Sequence, residues 1–161
     1  MNKKIRNVTP LEYDGIKFKS TLEKNTYKIF KESGFDIAYE PFTYTLWRGF
    51  KPTIPFYDKN KKTHNLILNN KKIIDIKYTP DFVVIYPPNI MAFVEAKGME
   101  NDVFYIKKKL FRSFLERQYA EGYTQFYPMY FEIYSVRHIA QAIDIIKQYA
   151  EEVNRNQSSD N

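Results

Sequence analysis

The stretch from Tyr78 to Gly98, YTPDFVVIYPPNIMAFVEAKG, constrains the fold of this chain more than any other. Val83, Val84 and Ile85 read as one strand, and Ile90 to Lys97 as a second. Pro87-Pro88-Asn89 between them is a turn signal that sends the chain back beside itself. Ile74, Ile76 and Tyr78 either join Val83 to Ile85 in one long strand or form a separate strand before a kink near Pro80, and Gly98 ends the returning strand. Most of these residues are what a core needs. Asp81, Glu95 and Lys97 are not.

The flanking patterns say what packs on this hairpin. Ser20 to Ser33 predicts a helix with Leu22, Thr26, Ile29 and Phe30 in one stripe, Ser20 as N-cap and Gly34 as C′ residue. Tyr13 to Ile16 suggests a short strand or turn, and Phe35 to Tyr44 contains at least one strand. Asn101 or Asp102 caps a helix running to about Glu121, with Val103, Ile106, Leu110 and Phe114 inward. Phe126 to Tyr134 reads as a strand, and Val136 to Glu151 as a helix packed through Ile139, Ile143 and Ile146. The first ten residues read as a loose arm ended by Pro10, and the tail from Asn154 as polar and frayed.

This order predicts an α/β (α+β) fold, a mixed central sheet flanked by helices. A chain of 161 residues is one domain, long enough to bury a real core. Between Gly49 and Lys72 the pattern weakens. Lys51, Lys59, Lys61, Lys62, Lys71 and Lys72 there face only Asp58. We expect a basic, loop-rich insertion around short strands. It is either a positively charged flap or a solvated segment kept soluble by its lysines.

The formal charge of +6 is compatible with nucleic acid or another anionic surface and proves neither. The absence of cysteine removes disulfides, thiolate metal sites and cysteine nucleophiles. No apolar run approaches the roughly 20 residues of a membrane span. MNKKIRN has no apolar region behind it, so a secretory signal is not expected and the cytoplasm is the default compartment.

Strand periodicity puts Phe93, Glu95 and Lys97 on one face and Ala92, Val94 and Ala96 on the other. If the Asp81 strand pairs beside this one, three ionisable groups converge, and burial of unpaired charge is costly. A divalent metal supplies a reason. Asp81, Glu95, the backbone carbonyl of Ala96 and waters make a hard oxygen site for Mg²⁺, with Mn²⁺ as a substitute. Such a metal polarises a phosphodiester, while Lys97 orients or deprotonates water and offsets phosphate charge. The bland alternatives are a turn aspartate after proline and a same-face Glu95–Lys97 ion pair.

Pro80-Asp81 followed by Glu95-Ala96-Lys97 resembles the PD-(D/E)xK nuclease signature. Together, YDGIKFKSTLEKNTYKIFK, YTPDFVV, VEAKG and FYIKKKLF resemble small phage-encoded endonucleases similar to Holliday junction resolvases. The likeness spans Tyr13 to Phe114, and the segment from Gly49 to Lys72 matches no part of it. It implies a restriction-endonuclease-like core and metal-dependent hydrolysis of DNA, on branched or four-way-junction substrates, within a host cell's cytoplasm. It also implies a further metal-binding carboxylate on the first helix, at Glu23. Ser20-x-x-Glu23 is equally a capping box. Glu40 is a second candidate, or an edge-strand charge.

Lys108, Lys109 and Arg112 fall on the expected outer face of the second long helix, with Lys107 at its boundary. With Lys61 and Lys62 they are candidate DNA backbone contacts, or else a solvated face. Tyr105 and Trp47 can stack on bases or serve as core. His64 and His138 are too isolated to form a site. A chain this small favours recognition of shape over a long base sequence, and symmetric cutting of two strands requires a homodimer. The alternatives are a sequence-specific or recombination-associated nuclease, and a non-catalytic DNA-binding module.

Overall fold

The computed structural model describes residues 11–98 and 102–159, with side chains to 156. The expected loose arm over the first ten residues and the Asn101 cap lie outside them. A hairpin of β1 (Leu11–Tyr13) and β2 (Ile16–Phe18) turns at Asp14-Gly15, both with positive φ, which glycine adopts without steric cost. Helix α1 (Thr21–Glu32) follows. Ser20 caps it by accepting the Glu23 N–H, and Gly34, at φ 87°, follows its C-cap Ser33. Thr26 and Phe30 are fully buried, as their stripe requires.

The central sheet has four strands in the order β10-β9-β8-β3. They are β3 (Asp36–Tyr39), β8 (Phe82–Tyr86), β9 (Ile90–Ala96) and β10 (Tyr127–Ile133). β8 pairs antiparallel with both β3 and β9, whereas β10 lies parallel to β9. The sheet is therefore mixed, as expected. The parallel pair needs a crossover, supplied by α2 (Asp102–Ala120), and α3 (Val136–Ser159) completes the chain. α3 continues past Asn154, where the sequence reads as a polar tail.

Alternation along β8 and β9 sorts two cores. Phe82, Val84, Ala92, Val94 and Ala96 pack with Phe30 of α1 and Ile139, Ile143 and Ile146 of α3. Val83 and Phe93 face the other way and pack with Phe104 and Phe111 of α2. The face assignment read from strand periodicity holds. The α2 assignment holds in part: Leu110 and Phe114 pack against the second core, but Val103 and Ile106 are exposed, and Phe104 and Phe111 are buried instead. These two rings sit seven residues apart on one stripe, and their larger apolar surface outweighs that of Val103 and Ile106.

Strands β4 (Tyr44–Trp47) and β7 (Ile76–Tyr78) pair beside α2, and β5 (Tyr57–Lys59) pairs with β6 (Leu66–Leu68) beyond them. Pro80 separates β7 from β8, so the run from Ile74 to Ile85 forms two strands in different sheets. Among the described residues, no helix is long and apolar enough to cross a membrane.

Candidate active site

The strand alternation that buries Val94 on one face delivers Glu95 to the other, where it is almost wholly enclosed at 3% exposure. Each of its oxygens has a donor. Tyr78 gives its hydroxyl to Oε2 at 2.7 Å, and Lys97 gives its ammonium to Oε1 at 2.9 Å. The ammonium of Lys97 also lies 4.2 Å from the centre of the Phe104 ring, a cation–π contact that anchors it over α2.

Asp81 sits at the mouth of β8, immediately after Pro80. Its Oδ2 accepts the Ala96 N–H at 2.8 Å, which ties the start of β8 to the end of β9. Asp81, Glu95 and Lys97 thus converge in one open cleft, which Lys19, Glu40, Lys77, Tyr78, Thr79 and Lys107 also line. Burial pushes the Asp81 carboxyl up to about 7, and the negative charges of Glu95 and Glu23 add to that push. The Ala96 N–H and the Lys97 charge act in the opposite direction.

Glu23 is buried at the start of α1, and its carboxylate is committed locally. Oε1 accepts the Ser20 hydroxyl at 3.0 Å, while Oε2 accepts the Lys19 N–H at 3.1 Å and the Tyr39 hydroxyl at 2.7 Å. Ser20 accepts the Glu23 N–H as a capping box requires. Glu23, however, reaches back to the Lys19 N–H and the Ser20 hydroxyl rather than to the Ser20 N–H, and it does not line the cleft. Its charge is nevertheless felt by Asp81. Glu40 does line the cleft. It adopts a left-handed conformation, φ 44°, donates its N–H to the Asp81 carbonyl at 2.8 Å, and pairs with Lys19. A non-glycine residue held at positive φ beside a cleft is strain that its surroundings must sustain.

The chemistry of this donor set suits a hard divalent cation. Among the described residues, no group of three or more acidic or histidine side chains surrounds a single point. Mg²⁺ does not need one, since it keeps several waters and is held by one or two carboxylates. The Glu95 charge raises the cost of ionising Asp81, and a cation between them would offset it. The Ala96 carbonyl belongs to the same strand end.

The basic residues divide. Lys107 joins the cleft. Lys108 instead turns inward and reaches Glu132 at 3.2 Å, with its side chain only 16% exposed. Glu132 stands in register beside Glu95 on the neighbouring strand and also takes the Tyr134 hydroxyl at 2.6 Å. Lys108 therefore compensates a carboxylate next to the site. Lys109 lies over the Tyr105 ring, and Arg112 borders a groove between α2 and β10. Lys61 and Lys62 occupy the exposed turn between β5 and β6. Trp47 and Tyr105 are both partly exposed, and His138 accepts the Tyr134 N–H at the start of α3.

Sequence reasoning missed Tyr78, Tyr39, Lys19 and Lys77. One signal existed for Tyr78. A tyrosine at a core position must find a partner for its hydroxyl, and Glu95 was the unexplained carboxylate two strands on.

Residues 3–124 match the model of a protein family described as "Protein of unknown function (DUF1064)". No curated protein and no solved structure matches the chain.

Proposed function

The chain belongs to the DUF1064 family, and from that premise and the geometry of the cleft we propose that it is a metal-dependent endodeoxyribonuclease. The family match covers the carboxylate cleft, and the mixed sheet with helices on both faces is consistent with a restriction-endonuclease-like architecture. One observation carries the reading. Asp81 and Glu95, from opposite ends of two paired strands, meet in an open cleft with Lys97 bound to Glu95 at 2.9 Å.

In this reading Asp81, Glu95 and the Ala96 carbonyl hold Mg²⁺, with Mn²⁺ as substitute, and Glu23 adds negative charge from behind Asp81. When bound, the ion supplies Lewis-acid polarisation of a phosphate oxygen and lowers the pKa of a bound water. The chain's own groups do the rest. Tyr78 fixes the Glu95 carboxylate, so that its orientation is set before substrate arrives. Lys97 holds the attacking water and balances charge on the phosphate. Lys19, Lys77 and Lys107 rim the cleft and meet the flanking phosphates. Hydrolysis then forms a bond from the water oxygen to phosphorus and breaks one phosphorus–oxygen ester bond, the leaving oxygen taking up a proton.

For the substrate we infer branched DNA, read by shape, because the resemblance is to junction-cleaving enzymes. Two symmetric cuts would require a homodimer.

The deciding experiment offers a labelled four-way junction, linear duplex and single-stranded DNA to the wild type and to Asp81→Asn, with Mg²⁺, Mn²⁺ or EDTA. Metal-dependent cutting of the junction, lost in the variant, is the expected result. Cutting of linear DNA alone removes the junction assignment. Binding without cleavage of any substrate overturns the enzyme and leaves a DNA-binding module.

A further inference from the structure

The insertion from residue 48 to 75 is an antiparallel ribbon that rises from the cleft. Its two sides pair antiparallel at the root and again near the tip, with a bulge between Thr45 and Trp47 and no strand over residues 48–56 and 69–75. Tyr44 pairs with Tyr78 and Trp47 with Ile76, and the Ile73 N–H reaches the Phe50 carbonyl at 2.8 Å. Further out, Tyr57 pairs with Leu68 and Lys59 with Leu66 before the turn at residues 60–65. The root is rigid. Gly49 donates its N–H to Asp75 at 2.9 Å, and a side chain there would meet the Ile73 carbonyl oxygen at 2.0 Å. From this root Lys77 and Tyr78 enter the cleft directly.

Beyond the root the ribbon is unpartnered and apolar. Ile54, Phe56, Tyr57, Leu66 and Leu68 are all more than half exposed, and all three residues of β6 face solvent. An isolated two-stranded hairpin is marginal in water, and a patch of this kind marks a binding surface. Charge decides the occupant. Between residues 50 and 74 lie Lys51, Lys59, Lys61, Lys62, Lys71 and Lys72 against Asp58 alone, whose carboxylate is taken by the Asn69 amide at 2.7 Å. A second copy of the ribbon would bring like charge to like charge. A polyanion would neutralise it.

Phosphates give the lysines partners but leave isoleucine, leucine and phenylalanine with none. Exposed base faces supply these. We propose that the ribbon is a DNA-distorting arm, whose lysines contact phosphates while Ile54, Phe56, Leu66 and Leu68 insert against unstacked bases beside the bond to be cut. This rests on the nuclease reading for what the arm delivers to the cleft. It makes the favoured substrate DNA with bases already unpaired or easily unstacked.

The test uses the full chain carrying Asp81→Asn and a junction with a fluorescent aminopurine beside the branch. Binding should raise the fluorescence as the base unstacks. Adding Ile54→Ser and Leu66→Ser, both at exposed positions, should abolish the rise and weaken binding about tenfold. Lys61→Gln with Lys62→Gln should instead reduce the salt slope of log affinity by about 2 between about 50 and 200 mM salt. Unchanged fluorescence and affinity in the apolar variant overturn the arm. So does a wild-type dimer that the apolar variant dissociates without loss of DNA binding, or binding to anionic vesicles in preference to DNA. Cleavage by the wild type is scored separately, so loss of the arm's role leaves the nuclease reading standing, and the converse also holds.

Discussion

Tyr78 donates its hydroxyl to Glu95 Oε2 at 2.7 Å, across the seam between β7 and β9. Tyr78 also ends the ribbon's return strand, three residues before Asp81. One side chain therefore links the arm, the sheet and the carboxylate cleft. The Tyr130 hydroxyl stands 3.4 Å from it, and burial raises the Tyr78 hydroxyl well above its ordinary range, so it remains a donor.

We predict that Tyr78→Phe destabilises the fold by about 1–3 kcal/mol, because it leaves a buried carboxylate oxygen without its donor. Thermal unfolding measures the loss, and metal titration should show weaker binding as Glu95 loses its fixed orientation. An unchanged melting temperature together with unchanged metal affinity would refute this role.

Asp81 makes metal-free stability depend on pH. Its folded pKa of about 7 lies above the ordinary carboxylate value of 3.8. The folded state therefore holds a proton that the unfolded state releases between those values. Its contribution is fully present below pH 3.8 and declines as pH rises towards 7. In EDTA, denaturant titrations of Asp81→Asn should show a flatter pH profile than the wild type across this window. Equal slopes would count against the buried, charge-crowded environment assigned to Asp81.

Lys97→Ala should lower cleavage by about 100-fold or more while metal and DNA still bind. Single-turnover assays beside binding measurements separate the two effects. Full activity in this variant removes Lys97 from the mechanism.

Glu23→Gln retains a side-chain oxygen for the cap while removing the charge near Asp81. We expect the stability change to stay within about 1 kcal/mol and metal affinity to fall about tenfold. Calorimetric titration with Mn²⁺ decides it, and unaltered affinity would make Glu23 a helix cap alone.

Gly49→Ala should open the ribbon's root, because the added carbon meets the Ile73 carbonyl oxygen at 2.0 Å. Hydrogen exchange would report it as lost protection around residues 49–74 with the central sheet unaffected. Uniform protection throughout would mean that the neck accommodates the methyl group.

Much of the cleft was legible locally. Pro80-Asp81 and Glu95-Ala96-Lys97 stood out as candidates in the sequence, because charged residues in an apolar hairpin need a reason, and the fold brings Asp81, Glu95 and Lys97 into one cleft. The alternation of β9 correctly assigned Glu95 to the face opposite Val94. The Ser20 cap also stood in the sequence, since Ser20 and Glu23 interact within a single turn. The stripe of α2 holds at Leu110 and Phe114 and fails at Val103 and Ile106, because these satisfy a helical period as well as Phe104 and Phe111 do, and periodicity alone does not rank them.

Sequence by itself determined most of the helices and central strands, the two faces of β9 and the charged character of the hairpin, because these follow from interactions among near neighbours along the chain. Tertiary structure alone decided that β10 joins β9 in parallel, that Lys108 compensates Glu132, and that Tyr78 holds Glu95. Each of these unites groups 17 or more residues apart, and no local period records such a pairing. It arises when the large faces of α2 and the sheet are buried together, and each enclosed polar group then takes the partner that packing has brought within reach.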